Sequence, residues 1–407
     1  MSRKSAAALA LLALCLALPA ICSAAGFNQS WFVWQDPSDA FVTRLGKDKD
    51  LMTTRRDTSK DPKREAGLVN PQRYAFGLLQ AGFPTYLGAP MAFTTDDLKA
   101  GKVDVALVGM VVDDNGGECW GSTCMTGARF AANAMRTLRD WMNFPTQGTD
   151  NYIGVDYASQ LTLADYGNVG VYYNAPERSL EEIHKVLSEV LDAGAVPIGV
   201  GGTHIQSYAF ITALAQKYGP QNVTLLHIDA HHDAYLADLG RLMHNGNLLR
   251  VAVEQGLVRG RDLIQVGLRS HVPDAKTMAW MRQNGIRSHF MAEVLGRILD
   301  ELKGRKVYIT FDMDGLDPST APAVGTQDPD GLTATQALQL MRAVGIQNEV
   351  VAADFMEYFP LLDDGHQTTG IMLDRLIRAL LAGIAARKQG ITDPLYLNPE
   401  RIDHGTA

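Results

Sequence analysis

The sequence has no excess of positive charge. It contains 37 lysine and arginine residues against 45 aspartate and glutamate residues, which gives a formal net charge of -8 and a pI near 5.7. Proteins that bind nucleic acids or anionic membrane surfaces usually carry clustered basic residues. The composition therefore favours neither a nucleic-acid partner nor a membrane-surface partner.

Long hydrophobic runs are scarce, and the only candidate for a targeting segment is the Ala- and Leu-rich run at residues 6–17. Arg3 and Lys4 precede this run, Pro19 ends it, and Ser23-Ala24-Ala25 offers small residues to a signal peptidase. The run is short for a membrane span, and a retained anchor is the alternative. We expect residues 1–25 to be a signal peptide and the mature protein to be periplasmic or secreted, without membrane association.

Cysteine is scarce as well, with four residues in the chain. Cys15 and Cys22 fall inside the predicted signal peptide. Cys119 and Cys124 enclose the sequence Trp120-Gly121-Ser122-Thr123, and two cysteines this close in an oxidising compartment favour a small disulfide loop. We predict a Cys119–Cys124 disulfide, with two free thiols as the alternative.

The chain contains no internal repeat and no low-complexity tract, but its pattern changes near Asp104. Residues 26 to about 73 are polar and weakly patterned, which is typical of an extension. Short β-branched runs follow, with helical patterns between several of them. Strands that alternate with helices favour a parallel sheet covered by helices on both faces. The predicted strands are 103–110, 196–200, 223–228, 263–266, 307–311 and 350–355, and the predicted helices are 179–193, 205–218 and 246–254.

Histidine is unevenly distributed. None of the ten histidines precedes His184, and five of them lie between His204 and His244. Three polar clusters each follow an apolar run, and sites in open parallel sheets form at the carboxyl ends of strands. We expect the clusters to meet in one crevice. They are Gly201-Gly202-Thr203-His204, His227-Ile228-Asp229-Ala230-His231-His232-Asp233 and Asp312-Met313-Asp314-Gly315-Leu316-Asp317-Pro318.

Such a crevice needs cations, because several carboxylates in a small volume repel one another strongly. Residues i and i+2 of a strand point the same way, so each of the last two clusters can present ligands together. Oxygen ligands with two imidazoles favour manganese over structural zinc, and nickel or another divalent metal is the alternative. The predicted ligands of two metal ions are His204, Asp229, His231, Asp233, Asp312 and Asp314.

These three clusters closely resemble the hallmarks of the ureohydrolase family, which includes arginase, agmatinase and guanidinobutyrase. The hallmarks are a Gly-Gly-Asp-His turn, an Asp-Ala-His-x-Asp segment and an Asp-x-Asp-x-x-Asp-Pro segment. The resemblance runs from about residue 82 to about residue 386, and the stretch from Gly127 to Arg136 looks agmatinase-like, although its proline is missing. The resemblance implies a three-layer α/β/α fold with a central, mostly parallel, arginase-like sheet. We expect an extension or arm over 26–95, a single catalytic domain over 96–390 and a tail over 391–407.

The resemblance also implies a role for each candidate residue. One manganese would be held by His204, Asp229, Asp233 and Asp312, and the other by His231, Asp229, Asp312 and Asp314. Glu357 would bind the guanidinium group of a small cationic substrate, since a planar guanidinium pairs bidentately with a carboxylate. His244 would pass a proton to the departing amine. The family's homo-oligomers, commonly trimers or hexamers, imply a similar assembly by analogy.

Three positions depart from the family pattern. Thr203 stands where the family has aspartate, Asn168 replaces another familiar aspartate, and His244-Asn245-Gly246 replaces a His-Gly pair, so the alignment there can slip by one residue. Residues around a metal's ligands tune its affinity. These departures therefore bear on metal affinity and substrate identity.

The main hypothesis is hydrolysis of a linear guanidino compound, similar to agmatine or guanidinobutyrate, to urea and an amine. One alternative keeps the fold and changes the bond, as in related amidohydrolases that deacetylate amines with a single metal. The other is a non-catalytic member of the family. Metal stoichiometry and a substrate panel separate the three.

Overall fold

The computed structural model describes residues 64–71, 82–113, 127–138, 148–172, 176–236, 243–270, 274–289 and 294–399. The predicted signal peptide, most of the predicted extension, the Cys119–Cys124 pair and residues 400–407 lie outside the described residues. The predictions made for those segments therefore stay predictions.

Within the described residues, one eight-stranded sheet organises the chain in the order β2-β1-β3-β8-β7-β4-β5-β6, and every neighbouring pair is parallel. This confirms the predicted parallel sheet and all six predicted strands. Of the strands that the structure describes, the two edge strands β2 and β6 were not predicted from the sequence. The strands are β1 Val105–Gly109, β2 Leu163–Asn168, β3 Val196–Val200, β4 Thr224–Ile228, β5 Leu263–Val266, β6 Arg287–His289, β7 Lys306–Asp312 and β8 Glu349–Met356.

Helices cover both faces of this sheet, as predicted. Alternate residues of one strand enter two separate apolar clusters: Ile309 packs with one set of helices and Tyr308 with the other. None of the helices in the described ranges is long and apolar enough to cross a membrane. The helices are α1 Thr95–Ala100, α2 Ala131–Arg136, α3 Tyr157–Gln160, α4 Pro176–Asp192, α5 Ser207–Tyr218, α6 Leu248–Glu254, α7 Ala275–Gln283, α8 Val294–Leu302, α9 Ala334–Gln347 and α10 Thr368–Lys388.

Four adjacent strands bring the polar clusters together. β3, β8, β7 and β4 are neighbours in the sheet. Because these strands are parallel, the residues that follow them lie at the same edge. Strand β3 leads to His204, β4 to Asp229, β7 ends at Asp312, and β8 ends just before Glu357.

Helices α9 and α10 cross at two glycines, Gly345 and Gly383. A Cβ atom on Gly383 would lie 2.4 Å from the carbonyl oxygen of Arg342, which is backbone and cannot rotate away. The close approach of the two helices therefore depends on the absence of side chains at this crossing.

Gly383→Ala should lower the free energy of unfolding by about 1–3 kcal/mol, the usual cost of overpacking, although alanine alone favours a helix by about 1 kcal/mol. Gly296→Ala is the matched control, because Gly296 is exposed on α8 with no atom within 4 Å of the added Cβ. That variant should be as stable as the parent or slightly more so. Urea unfolding followed by circular dichroism measures both, and equal stability of the Gly383 variant and the parent would contradict the close-packing argument.

Candidate metal centre

The turn after β3 requires two glycines. Gly201 and Gly202 have φ angles of 88° and 77°, and a Cβ on Gly202 would lie 2.9 Å from the carbonyl oxygen of Val112. Only glycine adopts such a conformation without strain. The backbone N–H of Thr203 then donates to Val112 O at 3.0 Å, and the chain enters a short 3-10 helix with His204 buried at its start.

The segment after β4 turns back on itself through Asp233. The backbone of Asp233 has a φ of 46°, an uncommon conformation for a non-glycine residue. Asp229 stabilises the turn by accepting the backbone N–H of His231 at 2.6 Å. Asp229, His231 and Asp233 are thus presented together from five consecutive residues.

The turn after β7 is fixed from both sides. Asp312 accepts the backbone N–H of Asp314 at 2.9 Å, and the hydroxyl of Thr326 donates to Asp314 Oδ2 at 2.7 Å. The guanidinium of Arg269 donates to backbone carbonyl oxygens in this turn, including that of Leu316 at 3.1 Å, and to that of Asp328 at 2.7 Å. The positively charged side chain of Arg269, surrounded by carbonyl groups, therefore holds the acidic turn against the loop at 326–331.

Three aspartates converge on one imidazole nitrogen. His204 Nδ1 lies 3.1 Å from Asp229 Oδ2, 3.1 Å from Asp233 Oδ2 and 3.3 Å from Asp312 Oδ2. The side chains of these four residues are at most 6% exposed. This arrangement forms the inner part of the centre.

A second group shares Asp229 with the first. His231 Nδ1 lies 3.2 Å from Asp229 Oδ1 and 3.1 Å from Asp314 Oδ2. His231 is the more accessible histidine, with its side chain 25% exposed. The structure thus brings together all six residues proposed as metal ligands from the sequence.

The atoms at the centre fit a cation. His204 Nδ1, Asp229 Oδ2 and Asp233 Oδ2 are buried, yet none of them makes a hydrogen bond of acceptable geometry with any residue that the structure describes. Buried polar groups are nearly always satisfied. Lone pairs of nitrogen and oxygen that face one another at about 3 Å, without hydrogen-bond geometry, are an arrangement that a metal ion would satisfy.

The pKa shifts of two aspartates also indicate that the cluster is unfavourable without a cation. Burial raises the pKa of Asp312 well above its usual range, helped by the neighbouring charges of Asp314 and Asp229. Burial also acts to raise the pKa of Asp229, but the contacts with His227, His204 and His231 outweigh it and hold that pKa well below its usual range. Without metal ions, the cluster can be accommodated only by protons on its histidines and on part of its carboxylates.

His227, which was not among the predicted ligands, also lies beside the centre. Its Nε2 is 2.9 Å from Asp229 Oδ2, and the residue forms one group of potential ligands with His204, Asp229 and Asp233. Its other nitrogen, Nδ1, lies 3.2 Å from the side-chain amide of Gln265. The sequence contained one indication that His227 lies at the centre. His227 is two residues before Asp229, and alternate residues of an extended segment face the same side.

Glu357 sits beside the centre in a strained conformation. It has a φ of 62° and its backbone N–H donates to Gly202 O at 2.9 Å. One carboxylate oxygen, Oε1, accepts the backbone N–H of His204 at 2.7 Å. Burial raises the pKa of Glu357 to about 8, with a contribution from the charges of Asp314 and Asp229. A nearby cation would favour its ionised form.

Asn245, which the sequence analysis did not select, also contacts Glu357. Its amide donates to Glu357 Oε1 at 3.1 Å, while its Oδ1 accepts the backbone N–H of Ile205 at 2.9 Å. The neighbouring His244 is buried and precedes the 3-10 helix Asn245–Asn247, where its backbone N–H donates to Asn247 Oδ1 at 2.8 Å. Asn245 thus lies in direct contact with a residue of the centre, which bears on the one-residue slip left open by the sequence.

The other two departures lie outside the ligand cluster. Thr203 is fully buried, and its hydroxyl is 3.5 Å from Val112 O. Asn168 is at the exposed end of β2, where its Oδ1 accepts from Arg136 at 2.5 Å. Arg136 also forms a bidentate pair with Asp165, which links α2 to the edge of the sheet.

Comparisons with known proteins agree with this architecture. The model of the arginase family matches residues 103–383. The mitochondrial agmatinase of Gallus gallus is 31% identical over 314 residues, covering 74% of this chain and 86% of that protein. The mitochondrial guanidino acid hydrolase of Homo sapiens is 29% identical over 288 residues, covering 69% and 78%. The solved structure of proclavaminate amidino hydrolase from Streptomyces clavuligerus, 26% identical, aligns with a TM-score of 0.65 over 76% of this chain and 100% of that one.

The fold and the sequence relations indicate one class of protein, the ureohydrolases. The family match spans more than half of the sequence, so the chain belongs to the arginase family, and within it the chain is agmatinase-like. It is therefore a hydrolase of the class that acts on carbon–nitrogen bonds.

Replacing Asp229 with asparagine should remove a charge shared by both groups of potential ligands. We expect metal-free Asp229→Asn protein to bind fewer Mn²⁺ ions than the parent, or to bind them at least about 10-fold more weakly. Calorimetric titration measures the stoichiometry and affinity. Asp374→Asn is the control, since Asp374 is equally buried but pairs with Arg378 on α10. Unchanged Mn²⁺ binding in the Asp229 variant would contradict the assignment of the centre.

Proposed function

We propose that the protein hydrolyses a linear guanidino compound to urea and an amine, using a pair of divalent metal ions. The observation that carries this proposal is the buried group of histidines and aspartates with a further carboxylate, Glu357, held beside it. The first can bind metal ions and the second can bind a guanidinium group. No residue of the described chain forms an ion pair with Glu357, which leaves its charge available to a cationic substrate.

The proposed ligands divide into two sets. His204, Asp229, Asp233 and Asp312 would hold one ion, and His231, Asp229, Asp312 and Asp314 the other, with Asp229 and Asp312 shared. The donor set is mostly carboxylate oxygen with imidazole nitrogen, which suits manganese and also allows nickel or another divalent ion. When bound, two such ions supply an activated water and neutralise developing negative charge.

Glu357 orients the substrate. Its Oε1 is fixed by the backbone of His204 and the amide of Asn245, so the plane of the carboxylate is set before the substrate arrives. A guanidinium pairs with a carboxylate through parallel N–H donors. The scissile carbon would then be held next to the centre, because the His204 that fixes Glu357 is itself part of that centre.

Proton transfer to the leaving nitrogen is assigned to His244. The residue is buried on the turn that also carries Asn245, so it lies one residue from a direct contact of Glu357. The tail of the substrate is left open, because the similar proteins are named for agmatine and for guanidino acids, which differ in the charge of the tail.

A substrate panel on Mn²⁺-loaded protein tests the proposal. Urea release should be found with at least one of agmatine, 4-guanidinobutyrate, arginine and guanidine. Glu357→Gln should lower kcat/KM for that substrate by at least about 30-fold, because breaking a buried charge pair costs about 2 kcal/mol or more.

The same variant contains its own control. Glu357→Gln should keep the Mn²⁺ stoichiometry of the parent, since Glu357 is not among the proposed ligands. If the parent releases urea from none of the guanidino compounds, the proposal is overturned. Release of acetate from acetylated amines instead would support the amidohydrolase alternative, and inactivity towards both classes would support a non-catalytic protein.

We also propose that the protein is exported, on the basis of its N-terminal sequence pattern. By family analogy, we propose that the mature protein forms a homo-oligomer. The measured mass of the mature chain should correspond to loss of residues 1–25, and the protein should appear in a periplasmic or secreted fraction. Light scattering should give a mass of three or six chains. Retention of the full N-terminus in the cytoplasm would contradict export, and a monomer would contradict the assembly.

A further inference from the structure

A buried chain of hydroxyl and carboxylate groups lies behind His204, on the side opposite the metal-binding aspartates. His204 Nε2 is 2.8 Å from the hydroxyl of Thr310, and that hydroxyl is 2.9 Å from Asp354 Oδ1. Thr310 belongs to β7 and Asp354 to the neighbouring strand β8, where they are paired in register. Both residues are fully buried.

The directions of these hydrogen bonds follow from the ring. His204 Nδ1 faces the aspartates, so a histidine that binds a cation there must carry its proton on Nε2. That proton is donated to Thr310 Oγ1. The single proton of the threonine is then donated to Asp354, because a carboxylate is a stronger acceptor than the nearby hydroxyl of Ser207.

Burying Asp354 in the core of the sheet is energetically unfavourable. It accepts hydrogen bonds from the hydroxyls of Tyr308 and Thr310, and from that of Ser207 at 3.1 Å. No lysine or arginine in the described part of the chain forms an ion pair with it. Burial raises the pKa of Asp354 to about 6, although the charge of His204 and the hydroxyl donors oppose this. A buried carboxylate without a cationic partner destabilises a fold, so packing alone does not account for Asp354.

We propose that Thr310 and Asp354 form a positioning relay for His204, which fixes the proton on Nε2 and directs the Nδ1 lone pair to the metal ion. The negative charge of Asp354 also makes the imidazole a stronger ligand, as a carboxylate does when it accepts directly from a metal-bound histidine. Here a threonine stands between the two. The inference rests on the metal-binding role of His204 in the proposed function.

Two substitutions of Thr310 separate the effect of its hydroxyl, which the relay needs, from the effect of its methyl group. Thr310→Val keeps the shape and removes the hydroxyl, whereas Thr310→Ser keeps the hydroxyl and removes a methyl group. In calorimetric titration of metal-free protein with Mn²⁺, the valine variant should bind one ion about 10–100-fold more weakly than the parent. The serine variant should bind within about 3-fold of the parent, because its relay is intact.

A second pair of variants tests the carboxylate. Asp354→Asn should weaken Mn²⁺ binding in the same way, because it removes the charge that the relay supplies. Tyr308→Phe is its control, since the tyrosine hydroxyl donates to Asp354 Oδ2 and takes no part in the relay through Oδ1. Should Thr310→Val fail to fold, as judged by urea unfolding of the metal-free protein, this second pair decides the question alone.

Two results would overturn the relay. The first is equal Mn²⁺ affinity in parent, Thr310→Val and Asp354→Asn. The second is a serine variant as weak as the valine variant, which would show that the methyl group and its packing matter instead. A parent that binds two Mn²⁺ ions but releases no urea would refute the proposed function and leave the relay standing, so the two failures are distinct.

Discussion

The burial of several negative charges in one place is the constraint on which the rest of the structure depends. Asp229, Asp233, Asp312 and Asp314 are at most 4% exposed, and they lie around the ring nitrogens of His204 and His231. Water cannot screen charges in such a site, so their repulsion is strong. The opposite pKa shifts of Asp229 and Asp312 show that the protein alone does not accommodate four ionised carboxylates here. Metal ions bound between these side chains would resolve the conflict, whereas protons would occupy the same nitrogen and oxygen atoms.

Rigid elements of the fold hold these charged side chains together. The centre grows from the ends of four neighbouring strands, and each strand is locked to the next by the parallel ladder. Two of the residues involved, Asp233 and Glu357, adopt left-handed backbone conformations that cost about 1–3 kcal/mol each. Such strain persists only when the surroundings fix the backbone on both sides. Here Asp233 O accepts the backbone N–H of Leu249, and Glu357 N–H donates to Gly202 O. The sheet and the turns around it therefore stabilise a site that would not form in isolation.

The sequence was sufficient for the parts of the site that follow from strand periodicity. Runs of β-branched residues located six of the eight strands, and the spacing of Asp229 and His231 placed both on one side of a strand end. The edge strand β6 was missed because three residues carry too little pattern, and β2 was missed because it contains no β-branched residue. Contacts between segments distant in the chain were also out of reach. Neither the amide of Asn245 on Glu357 nor the hydroxyl of Thr310 behind His204 has a local signature, since each depends on how separate loops and strands are packed.

In the proposed function, the arrangement around His204 joins metal binding to substrate binding. Its ring faces the aspartates through Nδ1, while its backbone N–H donates to Glu357 Oε1. A cation bound to the ring would therefore fix the residue whose backbone holds Glu357, the carboxylate proposed to bind the guanidinium group. Asn245 reinforces the link, because its side chain connects Glu357 to Ile205 in the same 3-10 helix. A shift of that helix by a fraction of an ångström would alter both the ligand geometry and the plane of the carboxylate. The two proposed functions share this turn, so a change that weakens metal binding is also expected to weaken substrate binding.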